Sequence, residues 1–173
     1  MGRMRARIFG ACAAVAMTAG VLAAQGIPAD RTTYVTVSGP VSLPGVTLPA
    51  GSYLFRLADS QASRNVVQIF DRDRTKIYAT LLAIPATRPE PTDEAVITFK
   101  ETPSDRPPAV RYWYYAGETS GQEFAYPKEQ AMLIAQASGE SVLAVDTTST
   151  DLDAMKSAEI TRVGPGASAQ PQP

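Results

Sequence analysis

Leu48-Pro49-Ala50-Gly51-Ser52-Tyr53-Leu54-Phe55-Arg56-Leu57 sets a tight turn directly ahead of an alternating strand. Proline fixes φ near the value a turn needs, and glycine accepts a positive φ without steric cost. After the turn, Tyr53, Phe55 and Leu57 fall on one face of an extended chain, the arrangement of a half-buried strand. Working outward, the same grammar repeats. Thr32 to Val37 is almost entirely β-branched or aromatic, and Ser38-Gly39-Pro40 stops it. Leu43-Pro44-Gly45 is a further turn. Asn65 to Phe70 and Lys76 to Ile84 are strands about an Asp71-Arg72-Asp73-Arg74 turn, the second apolar on both faces in its later half.

Further along, Ala95 to Lys100 alternates with Ala95, Ile97 and Phe99 as its core face, and Val110 to Tyr115 closes the sheet region. Pro85–Thr92 and Thr102–Pro108 read as proline-rich loops between strands. Six strands at this spacing, with no long helix between them, predict a mostly β fold: an antiparallel β-sandwich or barrel-like domain. The expected core is Val35, Val37, Tyr53, Phe55, Leu57, Val67, Ile69, Leu81, Ile97 and Phe99. One C-terminal helix follows over 127–137, with Pro127 at its start and Gly139 past its end. Ser141 to Val145 reads as a short strand, completing a β-rich domain over 30–145. Residues 146–173 read as a brief helix capped near Asp151 and a tail that, beyond Val163, has no apolar face to bury and is expected to be disordered.

Residues 1–24 stand apart as a signal peptide. Arg3, Arg5 and Arg7 form a basic start, Ile8 to Ala24 is small and apolar, and Val21-Leu22-Ala23 suits signal peptidase. Cleavage after Ala23 or Ala24 leaves no membrane span. Only Ile8 and Phe9 separate the basic start from Gly10-Ala11-Cys12, too little apolar chain for a lipoprotein signal. The expected location is periplasmic or extracellular.

Composition excludes several chemistries. The 173 residues contain no histidine and one cysteine, Cys12, which leaves with the signal. Ser-His-Asp and Cys-His nucleophiles and His- or Cys-ligated metals therefore have no side chains to use. The chain carries 16 Lys and Arg against 17 Asp and Glu, and loss of three signal arginines leaves 13 against 17. An acidic surface without a basic run is no partner for nucleic acid. The residues call for no cofactor and no metal.

Taken in order, Leu43-Pro44-Gly45, Leu48-Pro49-Ala50-Gly51-Ser52-Tyr53, Leu57-Ala58-Asp59-Ser60, Val67-Gln68-Ile69-Phe70, Leu82-Ala83-Ile84-Pro85, Pro91-Thr92-Asp93 and Gly121-Gln122-Glu123-Phe124-Ala125-Tyr126-Pro127-Lys128 form an ordered set of motifs. Across about residues 32–136 the chain resembles an uncharacterised family of exported bacterial β-rich proteins. The resemblance implies export and a β-rich domain followed by a helix, and assigns no residue a role.

The densest candidate site is Arg111-Tyr112-Trp113-Tyr114-Tyr115. A regular pleat puts Val110, Tyr112 and Tyr114 on one face and Arg111, Trp113 and Tyr115 on the other. The face with Val110 is expected inward. The second face would then offer accessible rings for stacking on a glycan and a guanidinium for an anionic group; the alternative is that these rings fill the core. Asp71-x-Asp73-x-Thr75 has the start of a calcium loop but lacks its glycine and closing glutamate, and a hairpin turn accounts for it. Asp93-Glu94 and Glu118 with Glu123 are acidic pairs near aromatics, either solvated loop acids or an acid/base pair for a glycoside. The two proline-rich loops either form a protein-binding edge at one end of the sandwich or simply terminate strands.

The expected function is a non-catalytic, envelope-associated binding or structural module whose partner is a protein or surface polymer. The alternatives are a small carbohydrate-active enzyme using Asp or Glu, and a subunit of a surface assembly with strands pairing between chains.

Overall fold

The computed structural model describes residues 31–60, 65–147, 149, 151–166 and 169–171. The expected signal peptide lies outside the described residues. In chain order the elements are β1 (Thr32–Val37), β2 (Val41–Leu43), β3 (Val46–Leu48), β4 (Gly51–Ser60), β5 (Asn65–Asp71), β6 (Ile77–Thr87), β7 (Val96–Lys100), β8 (Ala109–Tyr114), β9 (Ser120–Phe124), β10 (Tyr126–Pro127), α1 (Lys128–Ser138), β11 (Val142–Val145), α2 (Leu152–Ser157), β12 (Ile160–Val163) and β13 (Ala169–Pro171). They build a mostly β, sandwich-like fold of two sheets.

The large sheet runs β1-β4-β5-β6-β9-β8-β2-β3, with β7 paired to β8. Its ladders are antiparallel except for the single parallel contact of Ser42 in β2 with Ala109 in β8. The small sheet runs β10-β11-β12-β13. One buried cluster joins Tyr53, Phe55, Val67, Ile69 and Leu81 of the large sheet to Ala131, Ile134 and Ala135 of α1 and Val142 and Ala144 of β11. The alternate residues of β11, Leu143 and Val145, turn to a second cluster with Leu82, Met155 and Ile160. A strand buried on both faces needs apolar residues at every position, and β11 reads Val-Leu-Ala-Val.

Specific polar contacts lock the layers. Tyr126 is buried, and its hydroxyl lies 2.6 Å from the Val110 carbonyl and 3.1 Å from that of Ser42. Burial pushes its ionisation far above the ordinary tyrosine value. Gln130 of α1 accepts from Gly45 N–H at 2.9 Å and donates to Ser42 Oγ and the Leu43 carbonyl at 3.0 and 3.1 Å, so the helix holds the β2–β3 hairpin by its turn. That turn needs Gly45, whose φ is 71°. Pro127 stands one place ahead of α1 as its N-cap, and Gly139 closes it in the left-handed region with its N–H on the Ala135 carbonyl. Asp151 caps α2 by accepting from Ala154 N–H at 3.0 Å.

Four sequence expectations need correction. β6 continues through Pro85 to Thr87 instead of ending at Ile84. The Leu82 carbonyl and Arg88 N–H both face β9, so alternation turns the ring nitrogen of Pro85 to the side where the described β5 pairing has ended at Asn65–Ala83. A missing N–H is tolerated there. Secondly, Phe99 is 46% exposed, on a strand that has only β8 beside it; Val35, Val37 and Ile97 are half-buried against the core. Thirdly, the two proline-rich loops do not share an end: one enters β7 beside Tyr114 and the other leaves it beside Ala109. Finally, the described residues after 146 include two strands besides the brief helix. Residues 160–163 form β12 and 169–171 pair with it as β13, since backbone ladder bonds require no apolar face.

Candidate functional site

A β-bulge decides where the aromatic strand points. Thr98 pairs with Tyr112 and Phe99 with Val110, so Arg111 is an extra residue in β8 with no opposite number in β7. One inserted residue reverses the phase of everything after it. Val110, Trp113 and Tyr115 therefore share the core, whereas regular alternation placed Trp113 and Tyr115 opposite Val110. Trp113 is 0% exposed. Its ring meets Phe55 and Tyr115 edge-on at 5.8 and 4.9 Å, and Nε1 donates to Thr33 Oγ1 at 3.1 Å. Tyr115 is also buried. Its hydroxyl accepts from Gln122 Nε2 at 2.8 Å, and Gln122 Oε1 accepts from buried Asn65 at 2.6 Å. Gly121 makes this packing possible, because a Cβ there would stand 2.5 Å from the Trp113 carbonyl oxygen.

The expectation of an accessible Trp113 is thereby overturned. Of the three expected binding residues, only Arg111 lies on the face turned away from that cluster, with half-buried Tyr112 and buried Tyr114. It is held by the chain's own acids. Arg111 Nη1 donates to Glu140 Oε2 at 2.7 Å, and Nε lies 3.6 Å from Glu123 Oε1. Lys100, almost wholly buried, also reaches Glu140 at 2.8 Å. Arg162 of β12 grips both Glu123 oxygens at 3.2 and 2.9 Å. Burial depresses the Lys100 ammonium pKa, and Lys100 and Arg111 pull the Glu140 carboxyl below the usual range. The guanidinium of Arg111 lies 4.6 Å from the Tyr112 ring centre, and that of Arg88 lies 5.1 Å from Tyr114's. This network clasps the two sheets together.

Glu118 and Glu123 are similarly engaged, while Asp93 and Glu94 lie exposed ahead of β7. Glu118 pairs with Arg31 and accepts from Ser120, while Glu123 serves two arginines, so neither faces the other as a catalytic pair. Both oxygens of Asp71 are turned into their own loop, one accepting Thr75 and Lys76 N–H at 2.7 and 2.9 Å and the other facing the Thr75 hydroxyl. The loop 102–108 contributes Pro107 and Pro108 to a shallow groove of about 520 Å³ with Phe99 and the β1–β2 connection.

A cleft that the sequence did not disclose lies between β6, the β2–β3 turn and the small sheet, with a volume of about 330 Å³. Leu81, Leu82, Val145, Met155, Pro44 and Pro127 give it apolar walls; Tyr78, Thr80, Thr147 and Ser149 add hydroxyls. These residues come from five separate stretches, so only the tertiary fold assembles them. Its described lining contains no Asp, Glu, Lys or Arg. Apolar walls with a few placed polar groups are the usual make-up of a ligand pocket. Comparison with protein-family models, with curated proteins and with solved structures finds no match to this chain. Among the described residues no helix is long and apolar enough to cross a membrane.

Proposed function

We propose that this is an exported, non-catalytic binding module of the cell envelope, holding its ligand in the cleft beside β6. The observation that carries the reading is the cleft's described lining: apolar walls and hydroxyls, suited to burying and orienting a ligand, without a carboxylate among them. Of the groups that general acid/base chemistry draws on, the described walls offer the Tyr78 phenol and no carboxylate, imidazole or amine. Export rests on the basic start and apolar run of residues 1–24.

Two measurements test the proposal. Expressed with its own N-terminus, the protein should leave the cytoplasm and begin near Ala24 or Gln25 by mass analysis; an intact Met1 in the cytoplasmic fraction would refute export. The purified mature chain should enhance the emission of the uncharged probe N-phenyl-1-naphthylamine, and Ser149→Trp, which plugs the cleft from an exposed loop, should abolish this. An unchanged signal in that variant would refute the cleft.

A further inference from the structure

The binding reading above leaves the ligand's chemistry open, and the charges flanking the cleft narrow it. We infer that the cleft takes an amphiphile with one apolar chain and an anionic head, the head lying beside Lys76. Tyr78 lines the cleft, and Lys76 Nζ stands 4.5 Å from the centre of its ring. A cation is thus fixed by a cation–π contact at the margin of an apolar cavity. Among the described residues the Lys76 ammonium has no carboxylate within ion-pair distance. Of the two acids in the turn before it, Asp71 spends both oxygens on that turn, one on the backbone N–H of Thr75 and Lys76, and Asp73 makes no ion pair with it. Arg72 and Arg74 against Asp71 and Asp73 leave that turn neutral, so Lys76 makes the local charge positive.

The opposite side of the cleft supplies the direction. A second depression shares Pro127, Val145 and Thr147 with it and carries Glu129 and Asp146 against Lys128. An anionic head is favoured at the Lys76 end and disfavoured at the other, while Leu81, Val145 and Met155 between them accept the chain. The volume of about 330 Å³ lies at the lower end of ligand pockets, which suits a single chain better than a paired one.

The mature protein loaded with N-phenyl-1-naphthylamine is titrated with decanoate, 1-decanol and decyltrimethylammonium. Decanoate should displace the probe at a concentration about tenfold below the ammonium compound, with decanol between them. Lys76→Gln should bring the three together, each displacement being read against the probe bound by that variant itself. Octanoate should be weaker than decanoate by roughly fourfold for each methylene removed. If the probe binds and is lost in Ser149→Trp, yet decanoate shows no advantage or the ammonium compound is preferred, the anionic head is refuted and the binding reading stands. If the probe does not bind the mature chain, both fall.

Discussion

Trp113 is the chain's one tryptophan, and it lies in the middle of the core between Phe55 and Tyr115. Its fluorescence should be blue-shifted and closed to iodide, and Trp113→Ala should cost ~3–5 kcal/mol in urea unfolding. A cost under about 1 kcal/mol would show that the ring is not packed as described. Glu118 makes a different prediction. The Ser120 hydroxyl, and then Arg31, hold its carboxyl below the ordinary value of 4.5. The folded state therefore binds this proton less tightly than the unfolded chain does. The resulting stabilisation is complete above the unfolded pKa and is lost as pH falls through the folded one. Glu118→Gln should flatten the acid limb of stability as pH falls below the ordinary carboxyl value of 4.5, and should leave the alkaline limb unchanged. The effect should be small, because the side chain is partly exposed and solvent screens it.

Among the elements, β8 depends most on its exact length. Arg111→Gln keeps the bulge and removes a charge; deletion of Arg111 removes the bulge and turns Trp113 and Tyr115 outward. The substitution should retain the near-ultraviolet circular dichroism of the native protein, and the deletion should lose it. A native spectrum from the deletion variant would disprove the assigned register. The same strand shows what was legible in sequence. Thr32–Val37 and Ser52–Leu57 announce themselves by alternation and bounding turns, as does the Asn65–Phe70 strand by its apolar run. The bulge is silent, because it exists only in the pairing of β8 with β7. Strand β9 was missed for another reason: Gln122 and Glu123 are buried by partners from distant strands, Asn65 and Tyr115 for the first and Arg111 and Arg162 for the second. A hydrophobic pattern cannot register polar residues that are buried by pairing. The three-residue strands β2 and β3 are too short to show a period, so only their turns were visible.

At the scale of the molecule, one buried cluster passes from the large sheet through α1 to β11 and β12, and the second joins Leu82 of β6 to β11, α2 and β12, so neither sheet has a core of its own. Unfolding in urea followed by Trp113 emission and by far-ultraviolet circular dichroism should give coincident transitions. Two separated transitions would show that the small sheet unfolds alone. The cleft was illegible in sequence for the same reason that the core is shared, since its walls belong to the junction and to no single segment. The hold of Tyr126 on Ser42 also has a temporal side. These residues stand 84 apart, and the ribosome delivers the chain from its N-terminal end. Strands β4, β5 and β6 find one another within a short stretch, but the hairpin of Val41, Leu43 and Leu48 waits for β8, Tyr126 and Gln130 to be made. During that interval its apolar side chains lack part of the cover they have in the finished core, and a chaperone that occupies the nascent protein should be found over residues 41–48.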